Sequence, residues 1–425
     1  MSCTAIVGIN WGDEGKGRMV DLLTESYDVV VRFQGGTNAG HKVINDNGCF
    51  TLHLLPSGVC RKGVMNVLGN GVALDPEKLV EEIEDLQAKG VQITPDNLMI
   101  SDRASLLLPW HRKMDELEEA RLKDMKYGST KRGIAPFYSD KHLKKTVMAG
   151  TLFYPDVIRE RLNFIREWKN LELKGIYGAD EVTEEEVEAW LNGCCEKLKP
   201  DIRDTRTYLK EAQDDDKRIL FEAQLGALRD LDFGSYPYTT SSNVLAAYAP
   251  IGSGLTGAQI DHVIGVVKAY SSCLGEGPFV CEMKGAEADR LRELGGEFSE
   301  KDGHPYRVGP IDLVATRYGV QVQTATEIAL TKLDVLSYMD EIPVCVRYEL
   351  NGEETDKFPF PAALSACKPV MTTMKGWKKD ISGVRTWADL PEEAKEYVQM
   401  IERAIRCPIK WISVGPERES IIERG

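Results

Sequence analysis

Short apolar runs that end in glycine or small polar residues recur through the first third of the chain. Thr4–Ile9 and Tyr27–Phe33 have the composition of buried strands, and Leu98–Arg103 carries strand and loop signals. Helical patterns stand between them, one from Pro76 to about Lys89 and one from about His111 to Lys123. This alternation predicts an α/β protein built on parallel strands.

The pattern changes between residues 155 and 217. Charged residues dominate, glycines become rare, and helical periodicity covers about Arg159–Lys174, Thr183–Leu198 and Thr205–Ala212. We therefore expect a helical insertion over 155–217, with its charge runs on solvated faces. The α/β pattern then resumes with a strand at Arg218–Glu222.

The net charge of −14 narrows the range of partners. It argues against nucleic acid and against an anionic membrane surface, so any anion site must be a local basic pocket. The ten cysteines form no CxxC pair and no zinc-like spacing, which is typical of reduced cytosolic thiols. Because no apolar run approaches the roughly 20 residues of a membrane span, we expect a soluble cytoplasmic protein with no nucleic-acid and no membrane partner.

The strand at Thr4–Ile9 runs into a glycine-rich turn and then a helix that opens near Lys16. Gly12, Gly15 and Gly17 allow backbone angles and close approaches that a side chain would block. Backbone N–H groups of such a turn, together with the helix dipole and the lysine, form an anion site. A tight turn without a ligand is the alternative. The sequence is not a Walker A loop, since GxxxxGK[ST] would require glycine where the chain has Asn10.

Two acids, Asp13 and Glu14, lie inside this turn. A loop that only held phosphate would not need carboxylates, so they indicate a further task. Asp13 has the chemistry to hold Mg²⁺, to remove a proton, or to do both.

A second glycine-rich segment follows the strand Tyr27–Phe33 and runs from Gln34 to His41. We expect it to lie beside the first loop, because ligands bind outside the carboxyl ends of strands in an open parallel sheet. A lone histidine is more often structural than catalytic. His41 follows Asn-Ala-Gly at a strand exit, however, which favours a functional role.

Two further loops are rich in hydroxyl groups. Gly128–Pro136 reads GSTKRGIAP and has the composition of a second phosphate site, although a solvated loop is the default interpretation. Tyr238–Asn243 reads YTTSSN.

The strand Glu327–Leu330 leads into Thr331-Lys332-Leu333-Asp334, the [NT]KxD arrangement of guanine-binding proteins. The carboxylate accepts from guanine N1–H and the exocyclic amine, while the lysine stem lies against the ring. Adenine lacks that donor pair. Ser413–Gly415 follows the apolar run Ile409–Ile412 and has the position of a loop that closes over the same base.

Over nearly its whole length the chain resembles the adenylosuccinate synthetase family. The resemblance is carried by strings in a fixed order: WGDEGKGRMVDLL, RFQGGTNAGHKV, HLLPSGV, GNGVALDP, ISDRA, GSTKRGIAPFYSDK, DFGSYPYTTSSN, GVVKAYSS with GEGPF, ALTKLDVL and ISVGPER. It implies one large α/β domain over 1–425 on a mostly parallel sheet, with a P-loop-like nucleotide site. It also implies a homodimer with a shared active site.

The activity that the resemblance implies is the joining of IMP to L-aspartate, with GTP as co-substrate and one Mg²⁺ ion per subunit. The purine O6 is phosphorylated from GTP, and an amine then displaces that phosphate. Asp13 matches the base that takes the N1 proton, and His41 matches the acid that assists transfer of the γ-phosphoryl group. Asp13 and the carbonyl of Gly40 match metal ligands.

The resemblance also implies the binding residues. Those matched to GTP are Gly12, Asp13, Glu14, Gly15, Lys16, Gly17, Arg18, Gly40, His41, Lys42, Lys332, Leu333, Asp334, Ser413, Val414 and Gly415. Those matched to IMP are Asp13, Glu14, Gly15, Lys16, Asn38, Ala39, Gly40, His41, Thr130, Lys144, Gln224 and Thr240.

Some positions depart from the family pattern. Lys42 replaces the usual threonine after the histidine. Lys144 replaces an arginine that reaches the partner's IMP phosphate, and it keeps the charge but loses the bidentate fork. The family's EGAQG reads EAQLG here, so Gln224 has slipped one place.

The largest departure is in the loop that binds the aspartate carboxylates in the family, where this chain reads EFSEKDGHPYRVG from Glu297 to Gly309. Lys301, His304 and Arg307 are the cations left to receive the amino donor. Acids stand at Glu300 and Asp302, and they should weaken recognition of a dicarboxylate.

Three hypotheses therefore stand. The chain makes adenylosuccinate from L-aspartate, or it activates IMP or a related purine nucleotide in the same way and joins it to another amine. The third is a non-catalytic GTP-binding protein, against which the pair Asp13 and His41 speaks, since a binding module has no need of an acid and a base.

Overall fold

The computed structural model describes residues 3–45, 48–299 and 303–424, with only the backbone described for 41–45 and 49. The largest sheet has ten strands, and their order is β20-β19-β15-β11-β1-β10-β2-β5-β7-β9. The chain forms two compact units. The first comprises Met1–Ala5, Gly17–Gln224 and Thr240–Asp261, and the second comprises Ile6–Lys16, Leu225–Thr239 and His262–Gly425.

The first ten strands are β1 (Cys3–Gly8), β2 (Val29–Arg32), β3 (His41–Asn45), β4 (Gly48–Leu52), β5 (Met65–Leu68), β6 (Ala73–Leu74), β7 (Leu98–Ser101), β8 (Ser105–Leu106), β9 (Ile202–Arg203) and β10 (Ile219–Glu222). The helices up to Asp261 are α1 (Lys16–Thr24), α2 (Pro76–Ala88), α3 (Pro109–Arg121), α4 (Ile134–His142), α5 (Pro155–Tyr177), α6 (Glu184–Trp190), α7 (Glu196–Leu198), α8 (Thr205–Asp214) and α9 (Ala249–Ser253).

The strands of the second unit are β11 (His262–Lys268), β12 (Ser271–Cys273), β13 (Arg307–Gly309), β14 (Ile311–Asp312), β15 (Glu327–Thr331), β16 (Glu341–Leu350), β17 (Glu353–Thr355), β18 (Lys368–Lys375), β19 (Ile409–Ser413) and β20 (Ile421–Glu423). Its helices are α10 (Ala286–Gly295), α11 (Leu313–Gln323) and α12 (Glu392–Ile405).

The prediction of a mostly parallel α/β sheet is confirmed. Parallel pairing joins β10 to β2, β2 to β5, β5 to β7, β7 to β9, β11 to β15 and β15 to β19, whereas β20 is antiparallel to β19. The predicted helix beginning at Pro76 is confirmed as α2. It begins there because Asp75 caps it by accepting a hydrogen bond from the Lys78 N–H. Three helical stretches predicted within 155–217 correspond to α5, to α6 continuing through α7, and to α8.

One expectation about strand order is wrong. The exit of β2 was expected beside that of β1, but β10 lies between these two strands in the sheet. Strand β10 pairs with β2 through Ile219 and Val29, which are far apart in sequence. No local pattern records such a long-range pairing.

Each unit has its own core. Leu79, Trp110 and Ile165 belong to the core of the first unit, and Ile9 and Tyr397 belong to that of the second. Within the described chain, no helix is both long enough and apolar enough to cross a bilayer.

Candidate active site

The glycine-rich turn after β1 is held by the carboxylate of Glu14. Oε1 of Glu14 accepts hydrogen bonds from the N–H groups of Asn10 at 3.1 Å and Gly12 at 2.9 Å, and Oε2 accepts from Nζ of Lys16 at 2.6 Å. Gly12 and Gly15 have positive φ values of 106° and 94°, which explains why glycine is required there. The turn therefore carries an anion of its own.

Two glycines make room for this carboxylate. A Cβ at Gly8 would lie 2.6 Å from Oε2 of Glu14, and one at Gly226 would lie 2.7 Å from Oε1. The sequence did not reveal that Glu14 braces the loop, and its predicted contacts with GTP and IMP stay predictions. Of the two acids in the turn, Asp13 is the one left available for chemistry.

Asp13 is solvent-accessible and has a positive φ of 58°. Surrounding protein atoms nevertheless desolvate its carboxylate and raise its pKa, while the ammonium groups of Lys268 and Lys16 offset part of that rise. A carboxylate with a raised pKa is a better proton acceptor than an ordinary aspartate. Two other predicted residues, Gly17 and Arg18, lie in the first turn of α1.

The structure brings the predicted guanine residues together. The N–H of Leu333 donates to the carbonyl of Ser413 at 3.2 Å, and Oγ of Ser413 donates to the carbonyl of Gly415 at 3.2 Å. Val414 N–H donates to the carbonyl of Ser420, which fixes the turn after β19. Asp334 is partly exposed at the start of a 3₁₀ turn. Residues 332–334 and 413–415 therefore form one loop pair in the second unit.

The guanine motif is also tied to the phosphate turn. Oγ1 of Thr331, at the end of β15, donates to the carbonyl of Glu14 at 2.7 Å. This hydrogen bond fixes the position of the guanine motif relative to the glycine-rich turn after β1.

Lys332 takes part in a buried charge cluster. Its Nζ donates to Oε1 of Glu297 at 2.7 Å and to the carbonyl of Gly295 at 2.6 Å. Nζ of Lys268, at the end of β11, donates to both oxygens of Glu297 at 2.9 and 2.8 Å, and the hydroxyl of Tyr270 donates to Oε1 at 2.6 Å. Sequence reasoning missed Lys268 and this role of Glu297. The signal available for Lys268 was its position at the exit of an apolar strand.

Lysine charges stabilise the Glu297 carboxylate. The side chain is 1 % exposed, and burial alone would raise its pKa; Lys268 and Lys332 instead lower the pKa to about 2. Burial, followed by repulsion from Lys268, lowers the pKa of Lys332.

The divergent loop after Glu297 is anchored at its base by the backbone. Tyr306 N–H donates to the carbonyl of Glu297 at 2.9 Å, and Ser299 N–H donates to the carbonyl of His304 at 2.8 Å. Arg307 directs its guanidinium to Oε2 of Glu282 and to the carbonyl of Gly277, both at 2.7 Å. The predicted donor-binding residue Lys301 lies outside the described residues, as do its neighbours at 300 and 302.

The remaining predicted residues belong to the first unit, where Gln224 follows β10. Oε1 of Gln224 accepts from the N–H of Gly36 at 3.2 Å, and Nε2 donates to the carbonyl of His53 at 2.9 Å. Oδ1 of Asn38 accepts from the same Gly36 N–H at 3.2 Å. Gln224 therefore orients the loop that contains Asn38, and its contact with IMP stays a prediction.

The loop continues through Ala39 to Gly40, against which the ring of His53 packs. A Cβ on Gly40 would lie 2.9 Å from Cε1 of His53. His41 begins β3 and pairs with Leu52, but the side chains of His41 and Lys42 lie outside the described part.

Thr240 and Thr130 differ in setting. Oγ1 of Thr240 is buried and has no hydrogen-bond partner among the described residues, and its predicted contact with IMP stays a prediction. Thr130 is exposed on a loop that two carboxylates of α3 hold. Asp115 accepts from Ser129 Oγ at 2.6 Å, and Glu119 accepts from Gly128 N–H at 2.9 Å.

Lys144 is exposed just after α4, and its backbone carbonyl accepts a hydrogen bond from Arg161. Within the described chain, neither Lys144 nor Thr130 is hydrogen-bonded to Asn38, Gln224 or Thr240. The first unit therefore brings Asn38 and Gln224 together at the Gly36 N–H, and no described hydrogen bond joins Thr130 or Lys144 to them.

Comparison with known proteins gives one consistent result. The family model for adenylosuccinate synthetase matches residues 5–422. The chain is 47 % identical to adenylosuccinate synthetase 2 of Pseudoalteromonas translucida, with all of both chains covered, and 46 % identical to the adenylosuccinate synthetase of Caldanaerobacter subterraneus, with 99 % of both covered. It is similar in structure to a fully ligated adenylosuccinate synthetase from Plasmodium falciparum, with a TM-score of 0.92, 35 % identity and 99 % of both chains covered.

Proposed function

We propose roles for individual residues from the premise that this chain belongs to the adenylosuccinate synthetase family, the GTP-dependent ligases that join IMP to L-aspartate. In this proposal Asp13 takes the N1 proton of IMP, so that O6 becomes a nucleophile. O6 attacks the γ-phosphorus of GTP, GDP leaves, and His41 supports that departure as an acid. The amine then attacks C6 and phosphate leaves, which completes a C–N bond.

The setting of Asp13 is the observation that carries the assignment. The residue is exposed, the pKa of its desolvated carboxylate is raised, and it stands in a glycine-rich turn whose second acid is already engaged. Glu14 has the bracing task, so the two acids do not compete for one role. This arrangement supports Asp13 as the proton acceptor.

The family uses GTP as co-substrate and, in general, Mg²⁺. No group of three or more His, Cys, Asp or Glu side chains in the described ranges is arranged to hold a metal ion. Mg²⁺ commonly binds through one or two carboxylates plus substrate phosphates and water, so an accessible Asp13 in a phosphate-type turn fits it. We assign one ion per subunit to Asp13 and the Gly40 carbonyl, where it would neutralise phosphate charge.

Nucleotide selection is assigned to two groups of residues. Asp334, with Lys332, Leu333 and the turn 413–415, receives guanine, while residues 12–18 and 40–42 receive its phosphates. For IMP we assign Asn38, Thr130 and Thr240 together with Gln224 and the turn at 13–16. The buried Oγ1 of Thr240, which has no hydrogen-bond partner in the described ranges, supports that assignment.

We assign the active form to a homodimer in which Lys144 reaches the partner's IMP. Helix α5 supports this, because it carries two stripes. Ile158, Leu162 and Ile165 face the core, whereas Val157, Phe164, Trp168 and Leu171 form an apolar stripe that is exposed in the single chain. The ammonium of Lys145, next to Lys144, lies 4.5 Å from the ring centroids of both Phe164 and Trp168.

The whole chain is assigned to one catalytic domain with the helical insertion at 155–217, supported by the extent of the family match. We assign it to the cytoplasm, without a nucleic-acid or membrane partner. The net charge of −14 and the free thiols of the described cysteines support this.

The test is to incubate the protein with IMP, GTP, Mg²⁺ and a panel of amines and to identify the products by mass. Consumption of GTP that requires IMP, with adenylosuccinate formed from aspartate, is the expected result. Hydrolysis of GTP without IMP, or binding without hydrolysis, would contradict it and favour a GTP-binding switch.

A second candidate is that the amine is not aspartate. Arg307 already pairs with Glu282, so one of the three cations assigned to the donor is occupied within the protein. Loss of a charge-assisted contact weakens binding by roughly 1.5–3 kcal/mol. This candidate predicts oxygen scrambling in GTP with IMP alone and poor saturation by aspartate. Saturation at submillimolar aspartate would exclude it.

A further inference from the structure

Glu297 joins two segments to which the proposed function gives different tasks. It follows α10 and stands at the base of the donor loop, of which the structure describes residues 298–299 and 303–306. Its carboxylate is bonded to Lys332 of the guanine motif, and its carbonyl is bonded to the Tyr306 N–H at the far end of the donor loop. One residue thus contacts the guanine motif by its side chain and the donor loop by its backbone.

The contact with Lys332 is double. Nζ of Lys332 reaches Glu297 Oε1 and also the carbonyl of Gly295, two residues earlier, at 2.7 and 2.6 Å. A shift of this ammonium therefore acts on the whole turn from Gly295 to Glu297. Because the donor loop begins at the next residue, the shift reaches its base.

Lys268 holds the other side of the carboxylate. Its Nζ contacts both oxygens of Glu297 and also Ser272 Oγ at 2.6 Å. Lys268 and Thr331 are paired residues of the adjacent parallel strands β11 and β15, so this anchor belongs to the sheet. The buried ammonium of Lys268 and the partly buried ammonium of Lys332 share this carboxylate, and neutralising it removes an ion pair from each.

We propose that Glu297 is a positioning residue that couples occupancy of the guanine pocket to the described base of the donor loop, residues 298–299 and 303–306. Guanine that lies against the Lys332 stem fixes the lysine, the lysine fixes Glu297, and Glu297 fixes the base of the loop. The inference rests on the proposed roles of Lys332 and of the donor loop. Coupling between binding sites is reciprocal, so the donor must also tighten guanine binding.

The first experiment needs no turnover. Hydrogen exchange of the Ser299, Gly303 and Tyr306 amides, which are hydrogen-bonded at the base of the loop, is measured with and without GDP. In the parent protein we expect GDP to slow exchange by roughly tenfold, a typical coupling magnitude. In Glu297→Gln, which keeps the shape of the side chain and removes its charge, GDP should leave the exchange rates of these amides unchanged. Exchange in the parent that ignores GDP would overturn the inference.

The second experiment uses the reaction. KM for the donor is measured at saturating GTP and at a GTP concentration well below its own KM. The parent should show a higher donor KM at low GTP, because the guanine pocket is then mostly empty, whereas Glu297→Gln should show a raised donor KM that is the same at both GTP concentrations. A ratio of the two KM values that persists in folded Glu297→Gln would contradict the coupling.

Two control variants separate positioning from simple stability. Asp140→Asn neutralises another buried carboxylate, which pairs with Lys169 at 2.6 Å and His111 at 3.0 Å in the first unit. It should lower the melting temperature and leave the KM ratio unchanged. Tyr270→Phe removes one hydrogen bond from Glu297 without changing charge, and it should reduce the coupling in part. This variant keeps the test available if Glu297→Gln does not fold.

The outcomes also separate this inference from the proposed function. A parent protein that protects the loop on binding GDP but shows no IMP-dependent GTP hydrolysis would retain the coupling and refute the proposed reaction. One that makes adenylosuccinate with no GDP-dependent protection would retain the reaction and refute the coupling.

Discussion

At the scale of single residues, three carboxylates of the second unit have different properties because their surroundings differ. Glu14 is saturated by backbone N–H groups and Lys16, and it acts as a brace. Burial with only partial compensation by lysines raises the pKa of Asp13, whereas two direct lysine contacts lower the pKa of Glu297. Carboxylates whose oxygens accept several hydrogen bonds from the protein, as in Glu14 and Glu297, are structural, whereas Asp13 is left for chemistry.

The first prediction concerns the proposed base. Asp13→Asn is nearly isosteric but its amide nitrogen cannot take a proton, so IMP-dependent GTP hydrolysis should fall by roughly 10²–10⁴ while GTP binding persists. Turnover near the parent level in the variant would remove the assignment.

The second prediction uses the depressed pKa of Glu297. Its pKa is lowered from 4.5 to about 2 on folding, so its contribution to stability is complete above pH 4.5 and is lost as pH falls through 2. Glu297→Gln should therefore cost about 3 kcal/mol of unfolding free energy at neutral pH, and the difference from the parent should shrink below pH 4.5. Urea unfolding at a series of pH values measures this, and a difference independent of pH would contradict it.

At the scale of elements, the loops at strand ends carry the assigned chemistry. The turn after β1 and the motif after β15 are tied together by the contact of Thr331 with the Glu14 carbonyl. The turn after β19 joins them through Leu333 and Ser413. Rigid strands thus hold short loops that would have no fixed relation on their own.

The third prediction concerns base selection by the loop after β15. Asp334→Asn should weaken GTP binding and relax the preference over ATP, because guanine presents two donors to the carboxylate and an amide offers one acceptor and one donor. Competition binding with GTP and ATP measures the change. Equal use of both nucleotides by the parent protein would show that this pocket does not select guanine.

Much of this element-level picture was predictable because its signals are local. A buried apolar run, a glycine-rich turn and Lys16 at the start of a helix predicted β1, its loop and α1, and the four residues from Thr331 predicted the guanine motif. The cluster at Glu297 was not predictable, since its partners Lys268 and Lys332 are 29 and 35 residues away. The position of β10 between β1 and β2 in the sheet was not predictable for the same reason.

At the scale of the whole molecule, the exposed apolar stripe of α5 has no covering element in the described part of the single chain. Burying aromatic and aliphatic side chains of this size against a second copy is favourable at about 25 cal/mol per Å². A twofold interface would bury the same stripe on both copies. Lys144 and Arg161 lie beside that stripe, which supports an active site completed by the partner.

The fourth prediction tests this by complementation. Asp13→Asn and Lys144→Ala should each be inactive as homodimers, but a hybrid contains one site with neither defect if Lys144 acts across the interface. Equal mixing after dissociation should then restore about one quarter of the parent activity. No recovery, with hybrids detected by native mass spectrometry, would show that Lys144 acts within its own chain.

The left-handed backbone of Asp13 has an evolutionary consequence. A φ of 58° is costly for an L-residue and free of strain for glycine. Stability alone therefore favours glycine at this position, whereas catalysis requires aspartate. Asp13→Gly should therefore be inactive yet melt at the parent temperature or above, whereas Asp85→Gly in the regular helix α2 should lose roughly 0.5 kcal/mol, from helix propensity and from the lost pair with Lys89. Paired thermal melts of the two variants check this. A lineage freed from the need for catalysis would be expected to drift to glycine at this position first.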